Sequence, residues 1–182
     1  MLAKLNLPNK ITLLRILLIP LLVVFLIRPS ATSSLIAALI FSAASFTDWL
    51  DGHLARTTQQ ITTLGKLLDP VVDKILISAA LIPLVAQDRV AAWIVILILG
   101  REFAVMGLRS IAAAHGMVIP AGSLGKYKMV LEIAAVIPLI LNYNLLLNHL
   151  GTFFLYIAVS VSLISGTDYF LKFWREEKGK MI

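Results

Sequence analysis

Four aspartates lie close together in an otherwise apolar part of this 182-residue chain. Asp48 and Asp51 stand at i and i+3, and Asp69 and Asp73 at i and i+4, so each pair shares one face of a helix. Carboxylate oxygens are hard ligands that suit Mg²⁺ or Mn²⁺ better than zinc or copper. The spacing therefore indicates a divalent-metal site, and two neighbouring ions there would suit phosphoryl transfer.

The composition predicts that these aspartates belong to a membrane protein. Hydrophobic residues make up 59% of the chain and charged residues 14%, with a mean hydropathy of +0.93. Soluble domains are about 45–50% apolar and about 25% charged, so a soluble globule and a disordered chain are both excluded. The absence of cysteine excludes disulfides, thiolate metal sites and a cysteine nucleophile. The net charge of +6 is typical of loops that face the cytoplasm and anionic lipid, rather than of nucleic-acid binding.

Six segments are long enough to cross a bilayer as helices, which takes about 20 mostly apolar residues. The predicted spans are Ile11–Ile27, Ser34–Ala55, Lys66–Ala86, Val90–Ala114, Ser123–Leu141 and His149–Phe173. The first ten residues place leucines among lysines and predict a short interfacial segment ahead of the first span. The expected fold is a single all-α integral membrane domain over residues 1–182, with both termini on one side.

Positive charges orient this bundle. Most lysines and arginines flank the termini and the connections between spans 2 and 3 and between spans 4 and 5, whereas Arg28 and Arg89 alone flank the other connections. The positive-inside rule therefore places both termini in the cytoplasm. Spans 2 and 3 are joined by a short connection, so their four carboxylates are expected to converge at the cytoplasmic end of the bundle.

A proton or cation pathway is an alternative explanation of the aspartates, because ionisable residues inside spans commonly line ion paths. Nearby small residues would then serve helix packing alone. Arg56 argues against a pathway, since a cation path gains nothing from a guanidinium, whereas its fork of donors suits a phosphate. A divalent-cation or proton transporter stays open as the alternative of another class.

The segment from Asp48 to Asp73 reads D-W-L-D-G-H-L-A-R, eight residues, then G-K-L-L-D-P-V-V-D. It resembles the signature of the CDP-alcohol phosphotransferase family, D-x2-D-G-x2-A-R-x8-G-x3-D-x3-D, at every fixed position. The resemblance implies six transmembrane helices, usually in a homodimer. The implied helix number agrees with the span count reached from composition.

The resemblance also implies roles for the matching residues. The four aspartates would bind the metal, expected as two Mg²⁺ or Mn²⁺ ions, and Asp73 would be the catalytic base that takes a proton from the attacking hydroxyl. The metal would neutralise the pyrophosphate of the donor and stabilise the leaving CMP. The cytidine diphosphate part of the donor would be held by Asp48, Asp51, Gly52, Ala55, Arg56, Gly65 and Asp69.

A basic cluster predicts the nature of the second substrate. Arg101 and Arg109 are eight residues apart in span 4, and Lys126 and Lys128 begin span 5. Arginine suits bidentate phosphate binding and lysine adds a point charge, so these cations predict an acceptor that carries phosphate. Ordinary positive-inside charge explains Lys128 easily but explains Arg101 poorly, because Arg101 lies more than a turn inside its span. Glu102 is expected to pair with either arginine.

The flanking sequence resembles bacterial members of the family that accept glycerol 3-phosphate. The stretches N-L-P-N-K-I-T-L-L-R, G-R-E-F-A-V-M-G-L-R-S-I-A-A-A-H-G and G-K-Y-K carry this resemblance. It implies transfer of the phosphatidyl group of CDP-diacylglycerol to glycerol 3-phosphate at the cytoplasmic face of the bacterial cytoplasmic (inner) membrane. Asn9, Thr12 and Arg15 share one helical face and are expected to line the same cavity. A sister enzyme that uses inositol phosphate, serine or phosphatidylglycerol stays open.

Overall fold

The computed structural model describes residues 7–57, 63–116 and 124–180, which form six α-helices and no strand. Side chains are described for residues 11–48, 68–116, 125 and 127–177. The helices are α1 (Leu7–Ile27), α2 (Ala31–Thr57), α3 (Thr63–Ala86), α4 (Ala92–Ala114), α5 (Leu124–Leu141) and α6 (Leu145–Lys180). The predicted all-helical fold is confirmed for this part of the chain.

Two helices begin earlier than the predicted spans because polar side chains cap them. The Ser30 hydroxyl accepts a hydrogen bond from the backbone N–H of Ser33 at 3.1 Å, and α2 begins directly after it. The Asn144 side chain accepts a hydrogen bond from the backbone N–H of Leu147 at 2.8 Å, and α6 begins directly after it. The connection expected between spans 5 and 6 was therefore predicted too long.

α3 begins at Thr63, three residues before its predicted start, and α4 begins at Ala92, two residues after its predicted start. Further differences lie at the two ends of the chain. α6 continues to Lys180, beyond the predicted end at Phe173, and has 36 residues. A helix of that length measures about 54 Å, more than the roughly 30 Å of a hydrocarbon core. α1 already begins at Leu7, so residues 7–10 of the predicted interfacial segment continue into the first helix without a break. Residues 1–6 lie outside the described residues.

The helices pack around a main apolar core, and a second, smaller apolar cluster joins α4 to α6. α1 packs chiefly on α2 and α3, and α6 packs on α5 and α4. Leu22, Phe41 and Ile98 are fully buried at the centre. α5 and α6 approach especially closely at Gly151, where an added Cβ would lie 2.7 Å from Cγ of Leu139. Glycine at this position lets the two helices touch through backbone and side chain.

The outward-facing side of the bundle is largely apolar. Leu17, Val24, Leu39, Ile96 and Leu146 have exposed fractions between 61% and 70%. Soluble monomers rarely expose contiguous apolar patches larger than a few hundred Å². An apolar outer surface around an apolar core is the pattern of a helical bundle surrounded by lipid.

Two helices in the described part of the chain are long and apolar enough to cross a membrane, at Ala31–Asp48 and Leu145–Glu177. Ile11–Ile27 is a shorter apolar stretch. α3, α4 and α5 each carry ionisable residues within their length. The structure thus has apolar helices suited to membrane association.

Candidate active site

Ionisable side chains collect in a cavity of about 560 Å³ lined by α2 to α6. Ligand pockets commonly measure about 300–1,000 Å³. The wall includes five residues expected from the sequence to form the site: Asp48, Asp73, Arg101, Arg109 and Lys128. The structure therefore brings the donor side and the acceptor side of the predicted site to one place.

Arg15 of α1 joins the aspartates of α2 and α3. Its side chain is fully buried, and Nη1 donates to Oδ1 of Asp48 at 2.7 Å and to Oδ1 of Asp73 at 2.9 Å. Because both oxygens accept from the same Arg15 nitrogen, Oδ1 of Asp48 and Oδ1 of Asp73 lie within two hydrogen-bond lengths of each other. One helical turn earlier, Thr12 donates from Oγ1 to Oδ1 of Asp69 at 3.1 Å. The polar face of α1 thus lies against the predicted metal ligands.

The aspartate group has the donor set of a site for a hard divalent cation. Carboxylates from two helices meet at one buried guanidinium, so the fold already brings like charges together around a positive charge. Among the side chains that the structure describes, no three His, Asp or Glu residues are grouped closely enough to hold a metal ion. The fourth expected ligand, Asp51, has no described side chain. Oxygen donors without thiolate or imidazole fit Mg²⁺ or Mn²⁺.

Seven expected site residues lie outside the part of the chain whose side chains are described. They are Asn9, Asp51, Gly52, Ala55, Arg56, Gly65 and Lys126. Their backbone is helical, within α1, α2, α3 and α5. The roles expected for these residues remain predictions.

Glu102 gathers three of the cations that line the cavity. Its carboxylate forms ion pairs with Arg101 and Lys128, and its Oε2 lies 3.1 Å from Nζ of Lys74. Lys128 also lies 3.3 Å from Oε1 of Glu132. Because three cations surround the single carboxylate of Glu102, this part of the cavity carries positive charge that can attract an anion.

α6 supplies the surface on which the two arginines of α4 rest. Arg101 donates from Nε to the backbone carbonyl of Ser162 and from Nη2 to Oγ of Ser165, each at 2.9 Å. The guanidinium of Arg109 lies over the ring of Tyr169, 5.2 Å from its centroid. This separation is within the range of a cation–π interaction.

Comparison with known proteins identifies the group to which this arrangement belongs. Residues 5–164 match the sequence profile of the CDP-alcohol phosphatidyltransferases. The chain belongs to this family. The match confirms the resemblance inferred from the aspartate motif, and it covers α1 to α5 and the first part of α6.

Curated relatives of this CDP-alcohol phosphatidyltransferase share one name, CDP-diacylglycerol–glycerol-3-phosphate 3-phosphatidyltransferase. The Bacillus subtilis protein is 43% identical over 188 aligned positions, covering 95% of this chain and 97% of the relative. The Pseudomonas fluorescens protein is 37% identical over 177 positions, covering 93% and 90%. The Rickettsia felis protein is 37% identical over 169 positions, covering 91% and 93%.

Several residues of this family member's cavity were missed from the sequence. Lys74 follows Asp73 directly, and Glu132 is a lone carboxylate in an apolar helix, so charge inside a span was the available signal for both. Ser165 and Tyr169 of α6 also line the cavity. They carried no signal, because serine and tyrosine are ordinary residues of membrane helices and only tertiary packing brings them to the arginines.

Proposed function

We propose that this protein transfers the phosphatidyl group of CDP-diacylglycerol to glycerol 3-phosphate and releases CMP. One observation carries the proposal: a single cavity is lined both by aspartates, Asp48 and Asp73, and by the cations that pair with Glu102. An activated phosphate donor and a phosphorylated acceptor need these two environments side by side. The shared name of the relatives supports the same pair of substrates.

The aspartate wall is proposed to bind the donor. Asp48, Asp51, Asp69 and Asp73 would hold two divalent ions, Mg²⁺ or Mn²⁺, and the bound metal supplies charge neutralisation for the pyrophosphate and the departing CMP. Arg15 keeps Asp48 and Asp73 together by pairing with both carboxylates. The remaining signature residues would hold the cytidine diphosphate part of the donor: Gly52, Ala55, Arg56 and Gly65.

Asp73 is the proposed catalytic base. Asp73 lines the same cavity as the cations of α4 and α5. The carboxylate would take the proton of the acceptor hydroxyl while that oxygen forms a bond to the phosphorus of the phosphatidyl group. The bond between this phosphorus and the CMP oxygen breaks in line, so CMP carries away the released electron pair.

The cationic wall is proposed to bind the phosphate of the acceptor. Arg101, Arg109 and Lys128 all face the cavity, and Lys126 belongs to the same turn of α5. Guanidinium groups offer paired donors to phosphate oxygens, and lysine adds charge. An acceptor without an anionic group would make no use of the remaining donors of these cations.

The proposed setting is the cytoplasmic membrane of a bacterium. All six helices would cross it, with both termini and the cavity on the cytoplasmic side, and two copies would form a homodimer. The apolar outer surface and the basic residues at the cavity end support this arrangement. The diacyl chains of the donor would stay in lipid while the polar groups react at the surface.

The deciding experiment follows CMP release by the purified protein in lipid nanodiscs. CDP-diacylglycerol is supplied with Mg²⁺ or Mn²⁺ and, in turn, glycerol 3-phosphate, inositol phosphate, serine and phosphatidylglycerol. Among the four acceptors, we expect only glycerol 3-phosphate to support CMP release, and we expect EDTA to abolish that release. Release with another acceptor would identify a sister reaction. Metal or proton flux in sealed vesicles without any CDP-lipid would overturn the proposal.

A further inference from the structure

One face of α6 contacts both arginines of α4. Ser162, Ser165, Gly166 and Tyr169 are spaced at i, i+3, i+4 and i+7, so they form one stripe along the helix. We call these four residues the α6 stripe. Ser162 and Ser165 accept hydrogen bonds from the guanidinium of Arg101, and the ring of Tyr169 lies beneath Arg109. One helix face therefore contacts both guanidinium groups.

Gly166 is where the Arg101 side chain crosses α6. A Cβ added at this glycine would lie 2.9 Å from Cγ of Arg101 and 3.1 Å from its Nε. Cγ is near the root of the arginine side chain, so a methyl group here would displace the whole chain beyond it. The bare backbone at Gly166 therefore permits the position in which Arg101 reaches Ser162 and Ser165.

Through these contacts, α6 sets the direction in which both guanidinium groups present their N–H groups to a ligand. Arg101 has five N–H groups, and its contacts with Ser162, Ser165 and Glu102 use one on each of its three nitrogens. One N–H remains on each terminal nitrogen, so Arg101 keeps two donors that a phosphate oxygen can accept from. Arg109 is held over Tyr169 by its face, an arrangement that leaves the N–H groups around its rim available.

We propose that the α6 stripe is the positioning element of the acceptor site, setting Arg101 and Arg109 at the separation and orientation that bind the acceptor phosphate. This inference rests on the function proposed above. The contacts of the stripe are with Arg101 and Arg109, so the stripe serves the acceptor site, whereas the aspartate signature serves the donor chemistry.

Gly166→Ala tests the inference against two matched glycine substitutions. Gly151→Ala introduces a comparable clash on the same helix, against Leu139 and the backbone oxygen of Ala135, away from the cavity wall. Gly107→Ala adds a methyl group on α4 where nothing lies within 4 Å. Initial rates of CMP release are measured with varied glycerol 3-phosphate at saturating CDP-diacylglycerol, and then with varied CDP-diacylglycerol at saturating glycerol 3-phosphate. The unfolding temperature of each variant is measured as well.

We expect Gly166→Ala to raise the KM for glycerol 3-phosphate roughly tenfold or more, since it disturbs hydrogen bonds of a charged group. Its KM for CDP-diacylglycerol should stay within about twofold. Gly151→Ala should lower the unfolding temperature without changing the acceptor KM, and Gly107→Ala should change neither. An equal rise in both KM values for Gly166→Ala, or a change in unfolding temperature alone, would overturn the inference.

Two further substitutions test the stripe if Gly166→Ala does not fold. Ser165→Ala removes the bond to Nη2 of Arg101, and Tyr169→Leu removes the ring beneath Arg109; each should raise the acceptor KM. Tyr169→Phe keeps the ring and should restore the wild-type value. Unchanged acceptor KM in Ser165→Ala and Tyr169→Leu would refute the stripe while leaving the proposed function intact, whereas a wild-type protein inactive with glycerol 3-phosphate would refute the function itself.

Discussion

Arg15 and Asp73 form an ion pair of 2.9 Å across 58 residues of sequence. The same Arg15 nitrogen bonds Asp48 at 2.7 Å, so one buried cation from α1 links the carboxylates of α2 and α3. A buried carboxylate without a partner is strongly unfavourable. α1 is therefore part of the proposed active site, although the family signature lies entirely in α2 and α3.

Replacing Arg15 with Met is expected to destabilise the protein by about 1–3 kcal/mol, less than the loss of a fully buried ion pair, because the side chains of Asp48 and Asp73 are 16% and 33% exposed. Divalent metal should recover part of this loss, because bound Mg²⁺ replaces the missing positive charge. Thermal unfolding in EDTA and in Mg²⁺ measures both effects. Arg28→Met, at an exposed arginine before α2, is the control and should change little; equal unfolding temperatures for both variants would contradict the role of Arg15.

Asp73→Asn is expected to lower kcat by about 10²–10⁴-fold, the usual contribution of a general base. The amide keeps the size of the side chain but cannot take the proton of the acceptor hydroxyl. Asp88→Asn is the matched control, because Asp88 lies in the α3–α4 connection with φ of 56°, a conformation that asparagine tolerates well. CMP release under saturating substrates is the measurement, and retained activity in Asp73→Asn would exclude this residue as the base.

Glu102→Gln is expected to lower the unfolding temperature, because Lys74, Arg101 and Lys128 lose the carboxylate that holds them together. Glycerol 3-phosphate should then raise the unfolding temperature of the variant more than that of the wild type, since its phosphate supplies the missing negative charge. Glu176→Gln, at an exposed position of α6, provides the comparison. A variant that glycerol 3-phosphate does not stabilise would argue that the cations do not bind the acceptor.

Arg101→Lys is expected to raise the KM for glycerol 3-phosphate roughly tenfold or more although it preserves the charge. An ammonium group cannot reach Ser162 and Ser165 with separate nitrogens while presenting a fork to phosphate. Arg175→Lys, at an exposed position of α6, should leave the value unchanged. Steady-state kinetics with varied acceptor give the answer, and an unaffected KM in Arg101→Lys would show that charge alone suffices.

The all-helical fold and the family could be predicted from the sequence because both depend on local features. Apolar length identifies helices, and the spacing of Asp48, Asp51, Asp69 and Asp73 specifies which faces carry carboxylates. Helix starts were less well predicted where a single capping residue decides them, as Ser30 and Asn144 show. The caps are visible in the sequence, but serine and asparagine are frequent enough that hydropathy alone did not select them.

The contacts that complete the site were decided by tertiary structure. Arg15 meets Asp48 and Asp73 only because α1 packs against α2 and α3. The α6 stripe meets Arg101 and Arg109 only because α4 and α6 are neighbours, across more than sixty residues of chain for Arg101.

The sequence by itself determined that carboxylates and cations would lie within apolar helices, because residue type and spacing are local properties. Which helix face meets which other face depends on how six apolar surfaces share one core. A glycine or serine has no distinctive pattern until a neighbouring helix brings a guanidinium group against it. The tertiary structure alone therefore decided that α1 would neutralise the aspartates and that α6 would hold the arginines.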